Sequence, residues 1–161
     1  MASLSSQKLL AIPMGDTNRN YAATQLALPI SLLRTREMVV ERFRPMIASR
    51  GLTDQQWRVL RVLGEKRELD ATHLAEQACL LMPSLTRIGK SLGTAGLVES
   101  KKDPNDRRRV LFSITAQGDE LLTACASESA QIYAEIEEAI GAERLTSLLE
   151  DLVRVREALR K

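Results

Sequence analysis

The feature that most constrains this chain is a short turn with three arginines in a row: Asp103, Pro104, Asn105, Asp106, Arg107, Arg108 and Arg109 follow one another directly. Proline presets φ, and Asn and Asp hydrogen-bond their own backbone, so Pro-Asn-Asp supplies a turn. Strand patterns flank it at Leu97 to Lys101 and at Val110 to Thr115, where Val110, Phe112 and Ile114 alternate with smaller or polar neighbours. An apolar helical segment carrying Arg87 and Lys90 comes before. Helix, strand, basic turn, strand is the layout of a winged helix, and a hairpin tip with three guanidiniums reaches phosphates or a minor groove.

The formal net charge of +2 hides a division along the chain. Residues 82–109 hold seven basic and three acidic side chains, whereas residues 110–161 hold five basic and ten acidic ones. Positive charge is therefore concentrated around the hairpin, the electrostatic footprint of a polyanion-binding surface. With 161 residues and 44% apolar content, a single globular domain burying roughly 70% of its unfolded surface is expected. No stretch of 18 apolar residues occurs, and the patch from Leu9 to Ile12 is too short for a signal peptide. With only Cys79 and Cys125, the expected setting is the reducing cytoplasm, away from any membrane.

Residues 1–27, with Pro13, Gly15 and several Ser, Thr and Asn residues, read as a flexible arm, and residues 28–161 as the single domain. From Leu28 to about Arg50 the residues Ile30, Leu33, Met38, Val40, Phe43 and Ile47 recur at helical spacings, with Pro45 expected to kink or divide the helix. Gly51 ends it. Thr53 with Gln56 forms a capping box for a helix from Asp54 to about Gly64, whose Trp57, Leu60 and Leu63 face the core. After a polar connection, Thr72 is expected to cap a helix to about Ala78, and Pro83 to sit in the first turn of another ending near Ala95 or Gly96.

Two short helices joined in this way make a helix-turn-helix within residues 53–115. In the second, Leu85, Ile88 and Leu92 fall on an inward stripe. Pro83, Ser84, Thr86, Arg87, Lys90 and Ser91 lie at the start of the helix and on its outer face, which suits entry into a DNA major groove: hydroxyls bond phosphates or base edges, and Arg pairs with guanine. The helices from Ala116 to about Ala139 and from Ala142 to Arg160 carry apolar stripes, heaviest at Leu145, Leu148, Leu149, Leu152, Val155 and Leu159. Nothing else in the chain is large enough to cover them. A homodimer joined through residues 28–50 and 116–160 is expected, presenting two reading helices about 34 Å apart to an inverted-repeat operator.

Long helix, helix-turn-helix, a wing with Asp106-Arg107-Arg108, then Ile114-Thr115 and Gly118 opening a dimerisation helix resembles the MarR family of winged-helix transcriptional regulators over residues 28–160. Within it, Arg36-Glu37, Phe43-Arg44-Pro45, Gln55-Gln56-Trp57-Arg58, Ala78-Cys79 and Pro83-Ser84-Leu85-Thr86 resemble the repressors of homoprotocatechuate degradation operons. The resemblance implies that the helix from Pro83 reads the major groove of double-stranded DNA. It also implies that Arg107 and Arg108, with Arg109 beside them, approach the minor groove while Asp106 holds the turn by an ion pair. Met82 stands where a basic residue can occur in such repressors.

A regulator of this kind takes a small effector, and an aromatic acid such as 3,4-dihydroxyphenylacetate needs a cation for its carboxylate and apolar walls for its ring. Arg36 is the first choice, with Ser31, Arg34, Trp57 and His73 as further contacts; Arg58 and Arg61 lie in the same elements. Arginines on long helices more often form ion pairs, and a tryptophan more often fills a core. Cys79 suggests a rival, thiol-based redox mechanism beside the helix-turn-helix turn, although a cysteine in Ala-Cys-Leu-Leu is more often a small buried hydrophobe. Cys125 reads as packing. A winged helix used as a protein-interaction module is the other alternative. One histidine, no metal-ligand spacing, no phosphate loop and no Gly-x-Ser-x-Gly turn leave an enzyme, a metal or a cofactor without a constellation to carry it.

Overall fold

The computed structural model describes residues 27–160; the arm expected over residues 1–27 lies outside them apart from Ala27. The first element, α1 (Leu28–Ser49), contains Pro45 and runs unbroken. The expected division at Pro45 does not occur, because proline deletes one backbone hydrogen bond while its neighbours Phe43, Met46 and Ile47 are buried and hold the last turns in place. The chain divides within α1 into two units, one running to Arg42 and the other from Phe43 onward.

The second unit begins with the end of α1 and continues into α2 (Asp54–Lys66). Its capping box is formed in full: Gln56 N donates to Thr53 Oγ1 at 3.2 Å and Thr53 N to Gln56 Oε1 at 2.8 Å. Arg67 ends the helix at φ +67°. A three-residue strand follows, β1 (Glu68–Asp70), where the sequence shows only a polar connection. The next helix, α3 (Ala71–Gln77), is capped by Asp70 and not by Thr72. Asp70 Oδ1 accepts from Thr72 N at 3.0 Å and His73 N at 3.2 Å, so one carboxylate satisfies two orphan donors at the positive end of the helix. Then come α4 (Met82–Thr94), β2 (Val98–Lys102), β3 (Val110–Ile114), α5 (Ala116–Ile140) and α6 (Ala142–Leu159).

The mainly helical chain thus carries a small antiparallel sheet in the order β1-β3-β2, with Asp70 opposite Leu111 and Lys102 opposite Val110. Leu60, Leu63, Leu74, Leu85, Leu92 and Phe112 meet in one core beneath the helix-turn-helix and the wing. Two glycines let backbones approach. A Cβ at Gly89 would stand 2.5 Å from Phe112 Cε1, and one at Gly118 would stand 2.3 Å from the Leu97 carbonyl oxygen. Side-chain-free positions therefore seat α4 against the wing and α5 against the start of β2. Thr115 caps α5 by accepting from Gly118 N at 3.1 Å.

No residue of α6 is buried, and Leu148, Leu149, Val153, Val155 and Leu159 are exposed along it. Among the described residues no helix is long and apolar enough to cross a membrane.

Candidate nucleic-acid interface

The outward face of α4 follows from its inner one. Leu85, Ile88, Gly89 and Leu92 are buried, which turns Pro83, Thr86, Arg87, Lys90 and Ser91 outward and leaves Ser84 half-buried. The Arg87 and Lys90 side chains make no hydrogen bond or ion pair among the described residues. Two hydroxyls are already engaged. Thr86 Oγ1 donates to the Met82 carbonyl at 3.1 Å, and Ser91 Oγ accepts from Gln56 Nε2 at 3.0 Å. Gln56 therefore works twice, closing the α2 cap and locating Ser91. The sequence shows the first role and conceals the second, which depends on a contact 35 residues away.

The wing turn is held from inside. Arg109 N donates to the Asp106 carbonyl at 2.9 Å, and Asn105 N to Asp103 Oδ1 at 2.8 Å. Asp106 Oδ1 accepts both the backbone N–H and the Nε of Arg108, each at 3.1 Å. The hydrogen bonds from the Arg108 side chain and backbone hold the Asp106 carboxyl below its usual range. Even so the Arg108 side chain is 91% exposed. Arg107 is exposed and makes no side-chain contact of this kind among the described residues.

Arg109 differs from its neighbours. Its Nη2 donates to Asp70 Oδ2 at 2.5 Å, where Asp70 also meets His73 Nδ1 at 2.5 Å. Asp70 is buried, with its side chain 10% exposed, and collects two backbone and two side-chain donors. The hydrogen bond from the His73 ring, aided by the His73 backbone and the Arg109 charge against the cost of burial, brings its pKa down to about 2. Arg109, expected as a groove contact, anchors the root of the wing to the start of α3 in the free chain. Sequence reasoning alone misses Asp70. Its place two residues before Thr72 was the one signal of a cap in the sequence.

Between α4, the wing and the start of α3 lies an open trough of about 510 Å³, lined among others by Thr72, Met82, Thr86, Lys90, Arg108 and Phe112. Cationic heads and hydroxyls on an apolar floor suit a sugar-phosphate strand. A second brace joins other elements: Arg67 Nη1 and Nη2 donate to the two carboxylate oxygens of Asp119 at 2.8 and 3.4 Å, tying the end of α2 to the start of α5.

The residues expected at an effector site fall in different settings. Ser31, Arg34 and Arg36 lie on α1 within the first unit, with Arg36 Nη1 donating to Glu37 Oε1 at 2.5 Å. Trp57 is 9% exposed in α2, as its core-facing position requires. His73 is exposed, and its Nδ1 is directed at Asp70. Cys79 is exposed, against the expectation of a buried thiol. The turn between α3 and α4 puts it at φ +51°, while Arg58 Nη1 donates to the Ala78 carbonyl at 2.6 Å and the Cys79 carbonyl at 3.2 Å. Holding the backbone there leaves the side chain outside. Cys125 is fully buried, as packing predicts. No group of three or more potential ligands for a metal occurs among the described residues.

Residues 52–110, from just before α2 to the first residue of β3, match the model of the MarR family. The HTH-type transcriptional regulator FarR of Neisseria gonorrhoeae is 41% identical over 136 residues, 83% of this chain and 93% of that protein. The homoprotocatechuate degradative operon repressor of Escherichia coli is 38% identical over 130 residues, 79% of this chain and 88% of the repressor. Among solved structures, NadR in complex with 4-hydroxyphenylacetate superposes with a TM-score of 0.72 at 38% identity, covering 93% of this chain and all of that one.

Proposed function

We propose, from the premise that this chain belongs to the MarR family and is a transcriptional regulator and not an enzyme, that it is a cytoplasmic repressor released from DNA by a small aromatic acid. The observation that carries the DNA-binding half is that Lys90 of α4 and Arg108 of the wing line one trough, with Arg87 and Arg107 exposed on the same two elements. Helix α4 enters the major groove and the wing reaches the neighbouring minor groove. The unburied apolar face of α6 supports a homodimer, which sets two such heads on an inverted-repeat operator.

The effector reading draws on two relatives, one named for homoprotocatechuate degradation and one solved with 4-hydroxyphenylacetate. We assign a carboxylate of this kind to Arg36, with Ser31 and Arg34 of the same helix as further contacts, and the controlled genes to aromatic-acid catabolism. The test is fluorescence anisotropy on the DNA upstream of the protein's own gene, with 3,4-dihydroxyphenylacetate or 4-hydroxyphenylacetate added at fixed salt. Release by either acid, lost in Arg36→Ala while acid-free affinity is kept, supports the reading. Binding indifferent to both acids removes the effector class. An exposed Cys79 favours a second reading, thiol sensing, which requires that peroxide release the DNA and that Cys79→Ser abolish that release.

A further inference from the structure

Two large apolar side chains stand in water at the entrance to α4. Leu81, the residue before the helix, is 77% exposed, and Met82, its first residue, is 44% exposed. Leu81 also occupies the N-cap position and makes no side-chain hydrogen bond to the first turn, where Ser, Thr, Asp or Asn would satisfy a free N–H. Both residues are thus poor choices for a helix end that faces only solvent. The helix before it shows the contrast, since α3 is capped by Asp70.

The start of a reading helix is the part that meets base edges in the major groove. Every polar group on those edges calls for a donor or an acceptor, and the one apolar group there is the 5-methyl of thymine. The surroundings of Met82, the residue next to Leu81, fit that partner. Thr86 Oγ1 spends its proton on the Met82 carbonyl and offers no donor nearby. Lys90, two turns along α4, and Arg108 on the wing share the trough with Met82 and supply the charge that holds phosphates on either side.

We propose that Leu81 and Met82 are specificity-determining residues that select thymine in each operator half-site by apolar contact with its 5-methyl group. The inference rests on α4 being the DNA-reading helix, and it adds which base the first residues of that helix prefer.

The test uses the full-length protein and a duplex selected by it from a randomised pool, with each thymine of one half-site replaced in turn by deoxyuridine, which removes only the methyl. One or two positions should lose about fourfold in affinity, the worth of one buried methyl-sized group. The same replacements should cost nothing in Leu81→Ala or Met82→Ala, whose exposed sites leave the fold intact. Placing 5-methylcytosine for cytosine at the sensitive position of a thymine-lacking site should recover affinity in the unaltered protein alone. Wild-type binding insensitive to every deoxyuridine, or equal losses in the variants, overturns the proposal while leaving sequence-specific binding standing. A pool from which no sequence is enriched overturns the DNA-reading premise, and the proposal with it.

Discussion

Arg109, at the root of the wing, donates to Asp70, at the start of α3, across 39 positions of sequence. The pair joins the two parts of the molecule that flank the trough beside α4. Replacing either residue should loosen the wing. Asp70→Asn keeps an N-cap acceptor but loses the charge that holds Arg109. A double-mutant cycle of Asp70→Asn and Arg109→Gln, read by urea denaturation, should give a coupling of about 1–2 kcal/mol. Additive effects would show that the two side chains do not act together.

The same carboxylate predicts an acid limb of stability. Its folded pKa is lowered to about 2, below the value of about 4 expected in the unfolded chain. The ionised, hydrogen-bonded form therefore adds stability that is complete above about pH 4 and is lost as pH falls from there toward 2. Asp106 and Asp119, also shifted downward, add to the same limb. Denaturant midpoints measured from pH 5 down to pH 2 should fall less steeply in Asp70→Asn than in the unaltered protein. Parallel profiles would remove Asp70 as a source.

Local signals in the sequence were readable and distant ones were not. Thr53 and Gln56 form their capping box because every atom of it lies within four residues. Leu85, Ile88 and Leu92 repeat at helical spacing and are buried as that spacing demands. Strand β1 escapes because three residues, Glu-Leu-Asp, are too few to establish an alternation; only pairing with β3 makes them a strand. Asp70 and Thr72 are both capping residues, and the choice between them rests on which φ/ψ the preceding strand imposes. His73 and Arg109 both bond Asp70, and Arg109 does so through a contact no sequence window contains.

Glycine positions separate propensity from packing. In a helix, Gly→Ala gains up to about 1 kcal/mol from backbone entropy. At Gly118 the new Cβ would stand 2.3 Å from the Leu97 carbonyl oxygen and 2.8 Å from Ile114 Cγ1, and a backbone atom cannot step aside as a flexible side chain can. Overpacking of this kind costs about 1–3 kcal/mol, so Gly118→Ala should destabilise. At Gly93 the nearest atom is 3.6 Å away, so Gly93→Ala should be neutral or stabilising. Thermal unfolding of the two variants should move in opposite directions or, at the least, separate by several degrees.

The wing tip should act through charge. Arg108→Ala should weaken binding to specific and random duplexes alike and lower the slope of log affinity against log salt by about 1, with the oligomeric state by light scattering unchanged. An unchanged slope would place the Arg108 guanidinium away from phosphate, held on Asp106 in the complex as it is in the free chain.

The most direct measurement is the affinity of the full-length protein for a duplex selected from a randomised pool, set against a scrambled duplex of equal length at physiological salt. A DNA-reading dimer predicts an enriched inverted repeat bound at least about 10³-fold more tightly than the scrambled sequence, with the preference collapsing in Arg87→Ala on α4. Equal affinity for the two duplexes, or a preference untouched by Arg87→Ala, would contradict α4 as the element that reads DNA.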